Sequence, residues 1–122
     1  MCYRIAVGTN DGNFVTEHFG RCAVWTIIEV AGDSWRVAQK RELFPGMGGH
    51  DDEAIRKTVA GLEDCRAVLV RKIGPGAERR LTASGIAAFE VNGPISDAIE
   101  KLTQYYKRID NGKSRRQTPS GG

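Results

Sequence analysis

A chain of 122 residues, 40% hydrophobic and 27% charged, is long enough for one domain whose core needs neither disulfides nor a structural metal. Its net charge of +3 comes wholly from the end. From Arg108 onward four Lys/Arg stand against Asp110, leaving 14 charges of each sign in residues 1–107, so the folded part is no basic nucleic-acid module. No apolar run nears the ~20 residues of a membrane helix, and the polar start MCYRIAVGTN does not read as a signal peptide. These features lead us to expect a cytoplasmic protein that binds neither nucleic acid nor membrane. Cys2, Cys22 and Cys65 form no CxxC or CxxxC pair, which supports neither a disulfide framework nor a zinc knuckle.

In chain order, Tyr3 to Thr9 alternates apolar residues as a first strand and stops at the turn Asn10-Asp11-Gly12. Val24 to Val30 is β-branched and aromatic, hence a second strand, and Ala31-Gly32-Asp33-Ser34 turns it into a third from Trp35 to Phe44. Pro45 to His50 is loop; Asp51 or Asp52 then caps a helix carrying Ile55, Val59 and Leu62 on one side. Ala67-Val-Leu-Val70 has the continuous apolar character of a strand buried on both faces. Gly74-Pro75-Gly76 opens a second helix through Leu81 that ends at Gly85, and Ile86 to Val91 is a further strand. A last helix carries Ile95, Ile99, Leu102, Tyr106 and Ile109 at helical spacing. Beyond it NGKSRRQTPSGG has no apolar side chain, so we expect a domain over 1–109 and a disordered basic tail over 110–122.

The order β-β-β-α-β-α-β-α implies an α/β protein with a mixed sheet extended by a hairpin. Following chain direction, the exits of the first, third, fourth and last strands fall on one edge, the carboxyl end of the parallel strands, where open α/β sheets bind ligands. That edge collects the run Glu17-His18-Phe19-Gly20-Arg21-Cys22 with Met47, Gly48, Gly49, His50, Lys72, Gly74, Gly76 and Asn92. Cys65 falls at the opposite end, as a structural residue.

Each of these admits a bland reading beside the functional one. His18 is either a metal ligand or a loop histidine bonded to backbone; His50 is either a ligand or a polar neighbour of a helix cap. Arg21 either clamps an anion or pairs with Glu17 or Asp11. Cys22 offers either a soft thiolate or buried filler, and Arg21 beside it leads us to expect faster alkylation at Cys22 than at Cys65, with protection by bound cluster. Met47 is a soft copper ligand or a hydrophobic contact. Gly74-Pro75-Gly76 presents free N–H groups to an anion or is merely a tight turn. No carboxylate sits where a metal-dependent nuclease on such a sheet needs one, and no nucleophile elbow is present, so the rim reads as a cradle and the protein as no enzyme.

The segments Ile5 to Gly12, Glu17-His-Phe-Gly-Arg21, Gly48-Gly-His50, Asp64-Cys65, Ile73-Gly-Pro-Gly-Ala77, Ala83-Ser-Gly-Ile86 and Asn92-Gly93 together resemble the dinitrogenase iron–molybdenum cofactor-binding family over roughly residues 3–106. The resemblance implies a ribonuclease-H-like three-layer fold, with a five-stranded mixed sheet and helices on both faces. It further implies non-covalent storage or delivery of an anionic molybdenum-containing metal–sulfur cluster, with His18 the metal ligand. Single-domain relatives include the orange protein of sulfate-reducing bacteria, so the implied cluster is of molybdenum–iron or molybdenum–copper type. Partners would be the cluster itself and a cluster-assembly ATPase or acceptor protein. The alternative is an adaptor that docks such a partner through the same rim. Cys22 where alanine is common, Met47 where several relatives have cysteine, and the basic Arg66, Arg71 and Lys72 favour a cluster held by charge and backbone amides.

Overall fold

The computed structural model describes residues 2–43 and 52–117. Its main sheet has the strand order β4-β3-β1-β5-β6, formed by β1 (Cys2–Gly8), β3 (Val24–Ala31), β4 (Ser34–Glu42), β5 (Ala67–Val70) and β6 (Ala87–Glu90). β3 runs antiparallel to β1 and β4, while β5 lies parallel to β1 and β6. The directions deduced from the chain therefore hold, and the sheet is mixed and five-stranded as expected. A second ribbon, β2 (Phe14–Val15) with β7 (Gly93–Pro94), was not expected; two residues per strand leave no periodicity to read.

Alternation along the strands sends side chains to two cores. Ala6, Trp25, Ile27, Val68 and Val70 meet Val59 and Leu62 of α1 (Asp52–Gly61) and Ala77 and Leu81 of α2 (Pro75–Ala83). Ile5, Val7, Ile28, Val30 and Leu69 meet Ile95, Ile99, Leu102 and Tyr106 of α3 (Ile95–Gln117). Two helices thus cover one face and a single helix the other. In β5 all four residues are buried, because both of its faces are covered.

The expected end of the last helix at Ile109 is corrected: α3 continues to Gln117. Asp110 takes two hydrogen bonds from the Arg66 guanidinium, at 3.0 and 2.9 Å. That guanidinium lies 3.7 Å from the Tyr106 ring centroid and 5.1 Å from that of Tyr3. An ion pair and a cation–π stack thus anchor the helix past its last apolar residue.

The third strand stops at Glu42, short of the expected Phe44, and Leu43 N–H donates to Ala23 O at 2.8 Å. Asp64, in the turn before β5, is gripped by Arg41 at 2.8 and 3.0 Å and by Arg4 at 2.8 Å. These two guanidinium groups hold its carboxyl well below the usual carboxylate range.

Candidate functional site

The carboxyl edge is assembled from the backbone first. Thr9 Oγ1 accepts the Gly12 N–H at 3.0 Å, and Asp11 Oδ1 accepts those of Asn13 and Phe14 at 2.8 and 2.9 Å. This Asx turn, with Gly12 at φ +80°, reverses the chain after β1. The returning chain crosses the end of β1, where Thr16 and Glu17 N–H both donate to Gly8 O. A Cβ at Gly8 would stand 3.2 Å from Glu17 Cβ and 3.3 Å from Val70 Cγ1, so any larger residue at the crossing would have to push these two side chains aside. The segment then runs beside the exit of β5: Arg71 N–H donates to Glu17 O and Phe19 N–H to Lys72 O, each at 2.9 Å. His18 and Lys72 are parallel bridge partners. These two, 54 positions apart in sequence, stand side by side on the edge, and both are exposed.

Directly after Lys72, Gly74 begins α2 with extended backbone and no side-chain cap, and Pro75 takes the first helical position. Glu78 N–H bonds Gly74 O, which leaves the Gly76 and Ala77 N–H groups without an intrahelical acceptor. A Cβ at Gly74 or Gly76 would meet nothing within 4 Å. Packing among the described residues therefore does not require these glycines; their effect is bare backbone at the positive end of a helix. Ile73 N–H donates to Glu90 Oε2 at 3.0 Å, tying this loop to the end of β6, from which the exposed Asn92 follows.

Not every expected rim residue arrives there. Phe19 is buried and packs on Trp25, ring centroids 5.5 Å apart. Cys22 is corrected as an accessible thiol: it is 1% exposed and its Sγ donates to Val24 O at 3.2 Å. Burial, reinforced by the Glu17 carboxylate, pushes it up to about 12. The physical reason is the 3₁₀ turn Phe19–Arg21, which delivers residue 22 inward instead of continuing strand alternation. Cys65 is equally buried and pushed up to about 12, so the expected contrast between the two thiols is absent; the exposed cysteine is Cys2. Arg21, with Gly20 before it, is turned towards β3 and β4. There it lines a groove of about 370 Å³ with Asp11, Glu17, Thr26 and Lys40. Met47, Gly48, Gly49 and His50 lie outside the described residues.

Among the described residues, His18, Arg21 and Lys72 make no side-chain hydrogen bond or ion pair. No three His, Cys, Asp or Glu side chains there are grouped to enclose a metal ion. The edge therefore offers one imidazole, separated cations and open amides, a donor set suited to a large anion more than to a bare cation.

Residues 1–105 match the family described as dinitrogenase iron-molybdenum cofactor. The chain belongs to that family. Its relatives include the FeMo cofactor biosynthesis protein NifB of Frankia alni, 33% identical over 80% of this chain and 20% of the relative. Protein NifX of Klebsiella pneumoniae is 27% identical over 93% of this chain and 74% of the relative. The chain spans about a fifth of the length of the NifB relatives that it matches. Among solved structures, PH0822 superposes with a TM-score of 0.65 at 24% identity, over 81% of this chain and 88% of that one. A putative dinitrogenase of Methanocaldococcus jannaschii gives 0.56 at 14% identity, over 84% and 88%. These structural likenesses carry the α/β fold with its mixed sheet.

Proposed function

We propose that this protein binds an anionic molybdenum–iron–sulfur cluster as cargo on the carboxyl edge of its sheet, to hold it or pass it on, without catalysing a reaction on it. The observation that carries this reading is the pairing of His18 with Lys72 across the backbone, immediately before the uncapped start of α2. His18 is the group to ligate a metal through a ring nitrogen. Lys72 supplies charge, and the Gly76 and Ala77 N–H groups give hydrogen bonds to cluster sulfides or to an acidic arm of the cargo. Arg21 and Lys40 add two cations on the β3–β4 side, in a groove they share with the Asp11 and Glu17 carboxylates. Asn92, at the end of β6, adds a neutral donor.

Iron is favoured over copper as the second metal. The family is described by an iron–molybdenum cofactor, and the buried, protonated Cys22 offers no soft thiolate for copper(I). On this reading the three-layer fold, which we class as ribonuclease-H-like, serves as a holder.

The test is anaerobic purification from the native host followed by elemental analysis. Molybdenum and iron co-eluting with the protein near one cluster per chain, lost in His18→Ala, is the expected result. Colourless protein without molybdenum, which also fails to take up isolated iron–molybdenum cofactor, overturns the reading.

A further inference from the structure

The two edges of the main sheet are unlike. β4, nine residues long, carries Arg36, Lys40, Arg41 and Glu42. Its pairing with β3 also slips between Ile27 and Ile28, leaving Ala38 as an extra residue. Charges and a bulge are the usual guards against unwanted strand pairing. β6, at the other edge, reads Ala87-Ala88-Phe89-Glu90, and its single charge is occupied by the Ile73 N–H.

Backbone direction fixes what β6 presents. Ala87 N–H donates to Arg66 O at 3.1 Å and Val91 N–H to Val70 O at 2.9 Å, so odd-numbered residues face β5. By alternation the N–H and C=O of Ala88 and Glu90 face outward. Beside them lies an apolar groove of about 200 Å³, between β6 and the one helix on that face. Phe89, Val91, Ala98, Leu102 and Tyr105 line it, with Lys101 as its one charged lining residue. Lys101 forms no ion pair among the described residues.

The geometry points to a docking site for a partner protein at this edge. An extended segment with alternating apolar residues would add as a sixth strand along β6, with an acidic side chain set against Lys101. Main-chain bonds to Ala88 and Glu90 would supply affinity, while the groove and Lys101 would supply specificity. A second copy of this chain fits less well. Two-fold pairing of β6 with itself places two Lys101 ammonium groups over one shared groove, and like charges there are unfavourable. The docked strand would end beside Asn92, at the edge where the cargo is proposed to sit, but its binding does not depend on the cargo.

The experiment selects displayed eight-residue linear peptides against the full chain and resynthesises the best binders. Alternating apolar sequences with at least one Asp or Glu are expected, shifting the amide resonances of Ala88 and Glu90. Ala88→Pro removes an outward N–H, a position where an edge strand tolerates proline, and should weaken binding about tenfold. Lys101→Glu should abolish the preference for acidic peptides while leaving cofactor uptake intact, and it decides the matter alone if Ala88→Pro does not fold by circular dichroism. Failure to enrich any peptide, or binding indifferent to both substitutions, overturns the proposal. So does a concentration-dependent dimer of the unliganded chain that Ala88→Pro abolishes.

Discussion

The two ends of the sheet contrast in how their charges are used. At the amino end Arg4 pairs with Asp64, which Arg41 also reaches from the far end of β4; Arg66 is stacked on tyrosine and paired with Asp110, and Lys107 of α3 meets Asp33 of the hairpin turn at 2.8 Å. At the carboxyl edge His18, Arg21 and Lys72 find no partner among the described residues, and a helix starts there without a side-chain cap. Paired charges fasten elements together; unpaired ones beside open amides are available to a ligand. One end holds the fold and the other is free to hold a cargo.

The sharpest way to break this contrast is to remove charge from the open end. Lys72→Ala and Arg21→Ala should leave the melting temperature unchanged yet weaken cluster retention. Each loses a charge-assisted contact of about 1.5–3 kcal/mol, or ten- to a hundredfold in affinity. Lys72→Ala should have the larger effect, because Lys72 stands beside His18 while Arg21 lies on the β3–β4 flank. Equilibrium binding of isolated iron–molybdenum cofactor measures both.

The converse change belongs at the amino end. Arg66→Ala strips the partner from Asp110 and the cation from two tyrosine rings, so it should lower unfolding free energy by about 1–3 kcal/mol. Cofactor affinity should be unaffected. Chevron or urea titration supplies the first number, and a change in affinity would show that the two ends are coupled. Truncation before Asp110 should reproduce the loss of stability, because the clasp goes with it.

A smaller effect sharpens the same division within one residue. Gly76→Ala places a methyl in open space at a helical position and should raise stability by about 0.4–1 kcal/mol. The same methyl shields an open amide and should reduce cofactor uptake. Stability and binding moving in opposite directions is the signature expected at Gly76.

The smallest effect is a null. Brief alkylation should label Cys2, with Cys22 and Cys65 untouched whether or not cluster is bound, since burial pushes both thiols up to about 12. Peptide mapping that found Cys22 labelled in the apo protein and protected by cluster would place it back on the rim.

Much of this was legible because the strands carry strong local signals. The β-branched run from Val24, the hairpin turn at Gly32 and the all-apolar Ala67–Val70 set strand direction, and direction alone placed His18 and Lys72 at one edge. What was not legible depended on contacts distant in sequence or on parity. Arg66 and Asp110 are 44 residues apart, so nothing in the polar NGKSRRQ stretch revealed that the helix before it is clasped. Cys22 was misplaced because one 3₁₀ turn inverts the side to which the chain points. The β2–β7 ribbon had a signal in Gly93, whose φ of +136° suits glycine alone, but a glycine before proline reads equally well as plain loop.

The measurement that addresses the central claim most directly is amide chemical-shift mapping of the full chain, titrated anaerobically with tetrathiomolybdate as a small molybdenum–sulfide anion. The account predicts saturable shifts at His18 to Arg21, Lys72, Gly74, Gly76 and Ala77, with Arg4, Asp64 and Arg66 silent. Shifts centred on Asp33, Lys107 and Asp110, or spread evenly over every exposed lysine and arginine, would contradict it.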